Sequence, residues 1–289
     1  MKIYDAVVIG GRGAVGSLVA GHLAGDGLAV LAVDRTPVPR TSPTYDHTIG
    51  DILHPDDTLQ QVLASASTVV LAVPESVALA WSTALAGPGM LVVETLSVKS
   101  SFAAKIAETG IDGTALGINP MFAPALGMSG RPVAAVTHKG GPAVDAFLDR
   151  ISSWGADVVR VDADRHDRLA AATQALTHAS IMAFGAALSK LDVDGALVHA
   201  VAPPPARTAL ALLARISGGE PEVYRDVQAG NPYAVAARRA LADAVRELDD
   251  TVDGGSEQEF AALMKRAAAG VPDATGYRAL CATIFDIVR

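Results

Sequence analysis

Cysteine is almost absent. The 289-residue chain carries one, Cys281, which excludes an internal disulfide framework and a cysteine-rich zinc site. Aromatic residues make up only 4%, so Ala and Val must supply much of the core. Basic residues are the minority: 23 Lys and Arg against 31 Asp and Glu leave a net charge of −8. A nucleic-acid partner is not expected from that balance, because it would need a basic surface. No uninterrupted apolar run approaches the ~18–20 residues of a membrane span. No charged segment followed by a long apolar run opens the chain. A secretory signal is therefore not expected, and the cytoplasm is the expected location. What the chain does have is apolar residues, 50% against 19% charged. That suffices for a sizeable core and argues against disorder. At roughly 150 residues per domain, the length predicts about two domains.

The first half alternates short β-branched runs with helical stretches. Asp5-Ala-Val-Val-Ile-Gly10 reads as a fully buried strand. Further strands are expected at 29–34, 68–74, 90–95, 113–118, 133–137 and 156–161. Strands alternating with helices imply a mostly parallel, doubly wound sheet. After Asp162 the pattern changes and helix formers dominate. Helices are expected over 210–216, 232–251 and 257–269, with Pro203-Pro204-Pro205 as a break. The expectation is a Rossmann-like α/β domain over 1–162, followed by an all-α domain over 163–289.

Gly11-Arg12-Gly13-Ala14-Val15-Gly16 follows a strand and opens a helix, the context a dinucleotide fingerprint requires. Gly11 is expected to make the tight turn, Gly13 to admit a pyrophosphate, and Gly16 to let helix and strand pack. The helix start then offers unpaired N–H groups to the phosphates. Asp34 ends the second strand about 20 residues on, where a carboxylate accepts from ribose hydroxyls and repels a 2′-phosphate. NAD is thus expected over NADP, although the neighbouring Arg35 could hold such a phosphate. Val73 and Pro74, closing a later strand, complete the expected cofactor contacts. Asp46, His47, Asp51, His54, Asp56 and Asp57 form a polar cluster. No histidine pair in it has i,i+4 or i,i+2 spacing, so it reads as a solvated loop and helix start, not a metal site.

Three further segments carry a resemblance. Glu94-Thr-Leu-Ser97-Val98-Lys99 is similar to a TSVK loop, Asn119-Pro-Met-Phe-Ala-Pro124 to an HPMFGP loop, and His166-Asp167 with Gln174-Ala-Leu-Thr-His178 to an HD…QALxH helix. In this order they resemble the prephenate dehydrogenase family. Glu222-Val-Tyr224-Arg-Asp226 echoes a stretch further downstream. The resemblance implies oxidation of a cyclohexadiene that carries two carboxylates and a C4 substituent. Hydride leaves C4 for a nicotinamide while the ring carboxylate departs as CO2. It also implies a homodimer built through the helical domain.

A dianionic substrate needs fixed local cations in a chain of charge −8. Arg207 follows three prolines at an expected helix start, where guanidinium and helix dipole act together on a carboxylate. By resemblance, it holds the ring carboxylate. Gln174 and His178 are spaced i,i+4 on one helix face, and the resemblance makes His178 a substrate contact. The resemblance also sets Ser97 between nicotinamide and the C4 substituent, with Lys99 adding positive charge. Asp164 or Asp167 is expected to cap the helix that follows. Leu169, Ala172, Thr173, Leu176 and Ser180 suggest a stripe that a subunit partner would cover.

One position departs from the family pattern: Asn119 stands where the family has its catalytic histidine. That histidine takes the C4 hydroxyl proton as hydride leaves, a contribution typically worth about 10²–10⁴-fold. An amide is not basic but can accept or donate a hydrogen bond. A C4 amino group would need no such base, since its lone pair can expel hydride and form an iminium. The expectation is therefore NAD-dependent oxidative decarboxylation of 4-amino-4-deoxyprephenate. The alternatives are a prephenate or arogenate dehydrogenase, and an inactive nicotinamide-binding regulatory protein.

Overall fold

A computed structural model of the chain describes residues 2–37 and 44–288. Its contacts divide it into two compact units, Met1–Leu169 and Ala170–Arg289. The division falls beyond Asp162, because His166 and Asp167 bond to residues of the first unit.

The first unit holds an eight-stranded sheet: β1 Ala6–Ile9, β2 Val30–Asp34, β3 Asp46–Ile49, β4 Thr68–Leu71, β5 Leu91–Glu94, β6 Thr114–Pro120, β7 Pro132–Lys139 and β8 Asp157–Arg160. Its helices are α1 Ala14–Gly25, α2 Asp57–Ser65, α3 Glu75–Ala80, α4 Ser100–Thr109, α5 Pro142–Ser153 and α6 Ala163–Ala170. The strand order is β3-β2-β1-β4-β5-β6-β7-β8. Alternation along β1 sends Val7 and Ile9 into one core and Ala6 and Val8 into the other. Burial on both faces is why these strands read as unbroken apolar runs.

The sheet is mostly parallel, as expected, but one strand differs from the sequence expectation. Asp46–Ile49 is an edge strand, parallel to β2, where a solvated loop was expected. Its residues are mostly exposed, so no apolar run announces it. Within the sheet, β6 and β7 pair antiparallel. The connection between them, 121–131, is too short for the dozen or more residues that a parallel crossover requires.

The second unit is helical: α7 Leu176–Leu188, α8 Gly195–Val201, α9 Pro204–Ser217, α10 Pro221–Ala229, α11 Ala234–Gly254, α12 Glu257–Ala268 and α13 Ala274–Ile287. Pro204 and Pro205 open α9 rather than only breaking the chain, since the first helical turn has no use for their missing N–H groups. A π turn, Ala171–Ala175, leads into α7. Among the described residues no helix is long and apolar enough to cross a membrane.

Candidate active site

The strand order reverses between β1 and β4, and a parallel sheet opens a crevice at such a point. A cleft of about 240 Å³ lies there, lined by Gly10, Gly13, Asp34, Arg35, Asp51, Val73 and Pro74 among others. Gly13 is the residue before α1, so the unpaired N–H groups of that helix start lie at the cleft. The left-handed turn residue is Gly10, with φ +76°, not Gly11 as expected. A Cβ on Gly10 would lie 2.0 Å from the Ala72 carbonyl oxygen. Gly11 instead packs on Ala32, where a Cβ would come within 2.5 Å. Gly16 faces the Gly10 carbonyl at 2.2 Å from its ideal Cβ, the close approach expected of it.

Asp34 is fixed at the end of β2. Its carboxylate accepts from the Arg12 N–H at 3.3 Å and from the Thr36 N–H at 3.3 Å. The Arg12 guanidinium donates to the Thr36 hydroxyl at 2.6 Å. Ala14 opens α1, and Val15 packs partly against the core. Asp51, expected only as part of a solvated loop, lines the cleft as a second carboxylate. Its neighbours in that cluster have local roles: Asp46 pairs with Lys2, and Asp56 caps α2 through the Leu59 N–H.

Along the same edge, β5 and β6 run parallel with Glu94 beside Gly117. The Ser97 loop and Asn119 therefore leave from the carboxyl ends of adjacent strands. The loop is pinned at both ends. Glu94 accepts the Leu96 N–H at 2.7 Å. Asp167 accepts the N–H groups of Lys99 and Ser100 at 2.8 and 3.0 Å. Ser97 is left half-buried between these anchors.

Lys99 departs from its expected role as a cation beside the substrate. Its side chain is fully buried, and its ammonium donates to Glu94 at 2.7 Å and to the Ile118 carbonyl at 2.8 Å. His138 closes the other Glu94 oxygen at 2.8 Å. Burial alone would raise the Glu94 carboxyl; the Lys99 charge and His138 outweigh it and hold it below the usual carboxylate range. A Cβ at 117 would stand 2.1 Å from a Glu94 oxygen, so any residue larger than glycine would have to displace that buried carboxylate.

Asn119 is buried and lies 3.1 Å from His166, amide nitrogen to Nε2. His166 in turn lies 2.8 Å from Asp167 through Nδ1. Asp167 thus steadies the start of α4, not that of its own helix. The Arg165 N–H at the start of α6 is taken by Asp162. Burial pushes the Asp167 carboxyl up, but hydrogen bonds from His166, Ser100 and Lys99 together hold it low. His166, Asp51 and Gly10 join the site without having been expected there. The adjacent His-Asp pair and the extra glycine were the signals available.

In the second unit, Gln174 lies half-buried in the π turn and His178 in α7. His178 meets Tyr224 edge-on at 5.0 Å between ring centres. Burial and the nearby Arg215 charge push its imidazole pKa down. Arg207 is in the first turns of α9, but its guanidinium turns back to the end of α8. It donates to the Ala202 carbonyl at 3.0 Å and the His199 carbonyl at 3.5 Å.

A dinucleotide cleft on a Rossmann-like sheet, followed by an all-helical unit, is the architecture of a dehydrogenase with a separate assembly domain. Residues 162–266 match the family model described as prephenate dehydrogenase, dimerization domain. The chain is 46% identical, over 98% of its length and 97% of the relative's, to the 4-amino-4-deoxyprephenate dehydrogenase of Streptomyces pristinaespiralis. It belongs to the prephenate dehydrogenase family. Among solved structures, the fold is shared with prephenate dehydrogenase from Aquifex aeolicus in complex with hydroxyphenyl propionate and NAD+. That match has a TM-score of 0.66 and 15% identity, and covers 93% of this chain and 97% of that one. It is shared likewise with Synechocystis arogenate dehydrogenase, at a TM-score of 0.60 and 20% identity, covering 92% and 97%.

Proposed function

We propose that the protein is a cytoplasmic, homodimeric enzyme that uses NAD to oxidise and decarboxylate 4-amino-4-deoxyprephenate to 4-aminophenylpyruvate. The observation that carries this is Asn119: a hydrogen-bonding amide stands where a hydroxy substrate would need a base. The 46% identity to an enzyme of that name supports it.

The cleft suits the cofactor. Gly13 and the helix start behind it suit a pyrophosphate. Asp34 suits the ribose diol, and Asp34 with Asp51 would repel a 2′-phosphate. The nicotinamide, when bound, supplies the hydride acceptor. On the substrate, the C4–H electrons leave as hydride while the amine lone pair forms an iminium. Breaking the bond from ring carbon to carboxylate then returns an electron pair to the ring, releases CO2 and leaves an aniline. Aromatisation drives the reaction, so the protein's part is to orient and to stabilise charge. Asn119 orients the amine. Ser97 contacts the C4 substituent, and Gln174, His178 and Arg207 serve the carboxylates. Lys99 holds the strand ends through Glu94 and Ile118.

The test is direct turnover of purified protein. The expected result is kcat/KM for 4-amino-4-deoxyprephenate above that for prephenate by about 10²–10⁴-fold, with NAD preferred to NADP by more than about tenfold. A preference for prephenate overturns the substrate. No turnover of either, with NAD still bound, would favour the regulatory alternative.

A further inference from the structure

We propose that His166 is a positioning residue that fixes which face of the Asn119 amide meets the substrate, and thereby helps to specify an amine at C4; this rests on the amino-substrate function above. An asparagine amide has two faces. Its oxygen accepts, its nitrogen donates, and a half-turn of the last side-chain bond exchanges them. In a buried site that choice needs a partner with a fixed preference of its own.

Asp167 supplies the fixed point. Its carboxylate only accepts, and the N–H groups of Lys99 and Ser100 hold it in place at the start of α4. The Nδ1 of His166, 2.8 Å away, must therefore carry a proton. In the neutral ring this leaves Nε2 as an acceptor. Nε2 lies 3.1 Å from the Asn119 amide nitrogen, so the amide donates into the ring and its Oδ1 is turned away from it. The opposite orientation would set Oδ1 against the Nε2 lone pair. That contact joins two acceptors with no proton between them, in a place where His166 is 2% and Asn119 4% exposed. A buried polar group left unpaired is penalised by its lost hydration.

The orientation matters to an amine. An outward Oδ1 accepts an amine N–H and leaves the nitrogen lone pair free to expel hydride. An outward NH2 would donate to that lone pair and hold it out of the reaction. A hydroxyl oxygen has two lone pairs, so it keeps one free when the other accepts, and either face can serve it.

The experiment compares kcat/KM for 4-amino-4-deoxyprephenate and prephenate, together with NAD affinity, in the wild type, His166→Leu and His166→Gln. Leucine should lower the amino-substrate value by about tenfold, the size of one lost neutral hydrogen bond. Prephenate turnover and NAD affinity should stay within about twofold. Glutamine can accept from Asn119 and donate to Asp167, and should recover most of the loss. An equal loss on both substrates, or none on either, overturns the proposal. Nitrogen-15 NMR of the wild type decides independently, should the leucine variant fail to fold. A proton on Nδ1 of His166 is expected, and one on Nε2 overturns the proposal. A wild type that prefers prephenate would instead defeat the substrate assignment and leave the tautomer result standing.

Discussion

The two units solve opposite problems. The first buries polar and ionisable side chains: Glu94, Lys99, His166 and Asp167 are each 2% exposed or less, and each has a partner. The second leaves apolar side chains uncovered. Its own buried cluster is Ala175, Val227 and Ala234, while Leu191, Val201, Met264, Leu280 and Ile287 are more than half exposed. Buried and fully bonded polar groups hold loops still, which suits a unit that must position a reacting atom. Uncovered apolar helices suit a unit that is completed by assembly, in keeping with the dimerization domain that it matches.

Four substitutions would sharpen or break this contrast. The largest effect is expected at Asn119. Asn119→His should raise prephenate turnover, toward the about 10²–10⁴-fold that a general base supplies. The new imidazole can give its N–H to His166 Nε2 and turn its other nitrogen to the hydroxyl. Steady-state kinetics on both substrates checks it; unchanged prephenate turnover would mean that the pocket positions nothing there.

Next is Lys99→Met, which strands the Glu94 carboxylate. Breaking a buried pair in this way costs about 3–5 kcal/mol, visible as a large fall in Tm. Leu280→Ala, at an exposed site of the second unit, should change unfolding of the monomer by no more than about 0.5 kcal/mol. Equal effects would erase the contrast. Acid should act on the same groups. Glu94 and Asp167 titrate below their usual values when folded. Their contribution is therefore complete above about pH 4–5 and is lost as pH falls through the folded values.

A smaller effect on function is expected at Arg207. Arg207→Ala should raise the substrate KM by roughly one to two decades, matching about 1.5–3 kcal/mol for a charged hydrogen bond. NAD affinity should stay as it was. An unaltered KM would mean that the guanidinium serves only the end of α8.

The sheet was legible wherever strands are buried on both faces. The unbroken apolar runs Ala6–Ile9 and Val69–Val73 have few other readings. Asp46–Ile49 was illegible because an edge strand with exposed residues carries no such signal. The fingerprint was legible as a unit, but not the division of labour within it. That Gly10 and not Gly11 takes the positive φ depends on how closely β4 approaches. Asn119 stood out from sequence because the residue type contradicted the chemistry. Lys99 misled for the converse reason: a lysine looks the same in sequence whether it faces solvent or an internal carboxylate. His166 was passed over because its role is relational, set by a carboxylate and an amide distant in the chain.

The π turn at Ala171–Ala175 has a mechanical meaning. A wider turn breaks the regular helical ladder, and here the Ala175 carbonyl is taken by the Gln228 amide at 2.7 Å, itself gripped by Arg238. In an α-helix each residue advances the azimuth by about 100°. Removing one residue from the turn and restoring regular winding would therefore shift the phase of all of α7 by about that angle. His178 would swing away from Tyr224, and every apolar residue along the helix would face a new direction. The turn thus sets the phase of α7 within its own unit, and the bond from Gln228 to the Ala175 carbonyl holds it there.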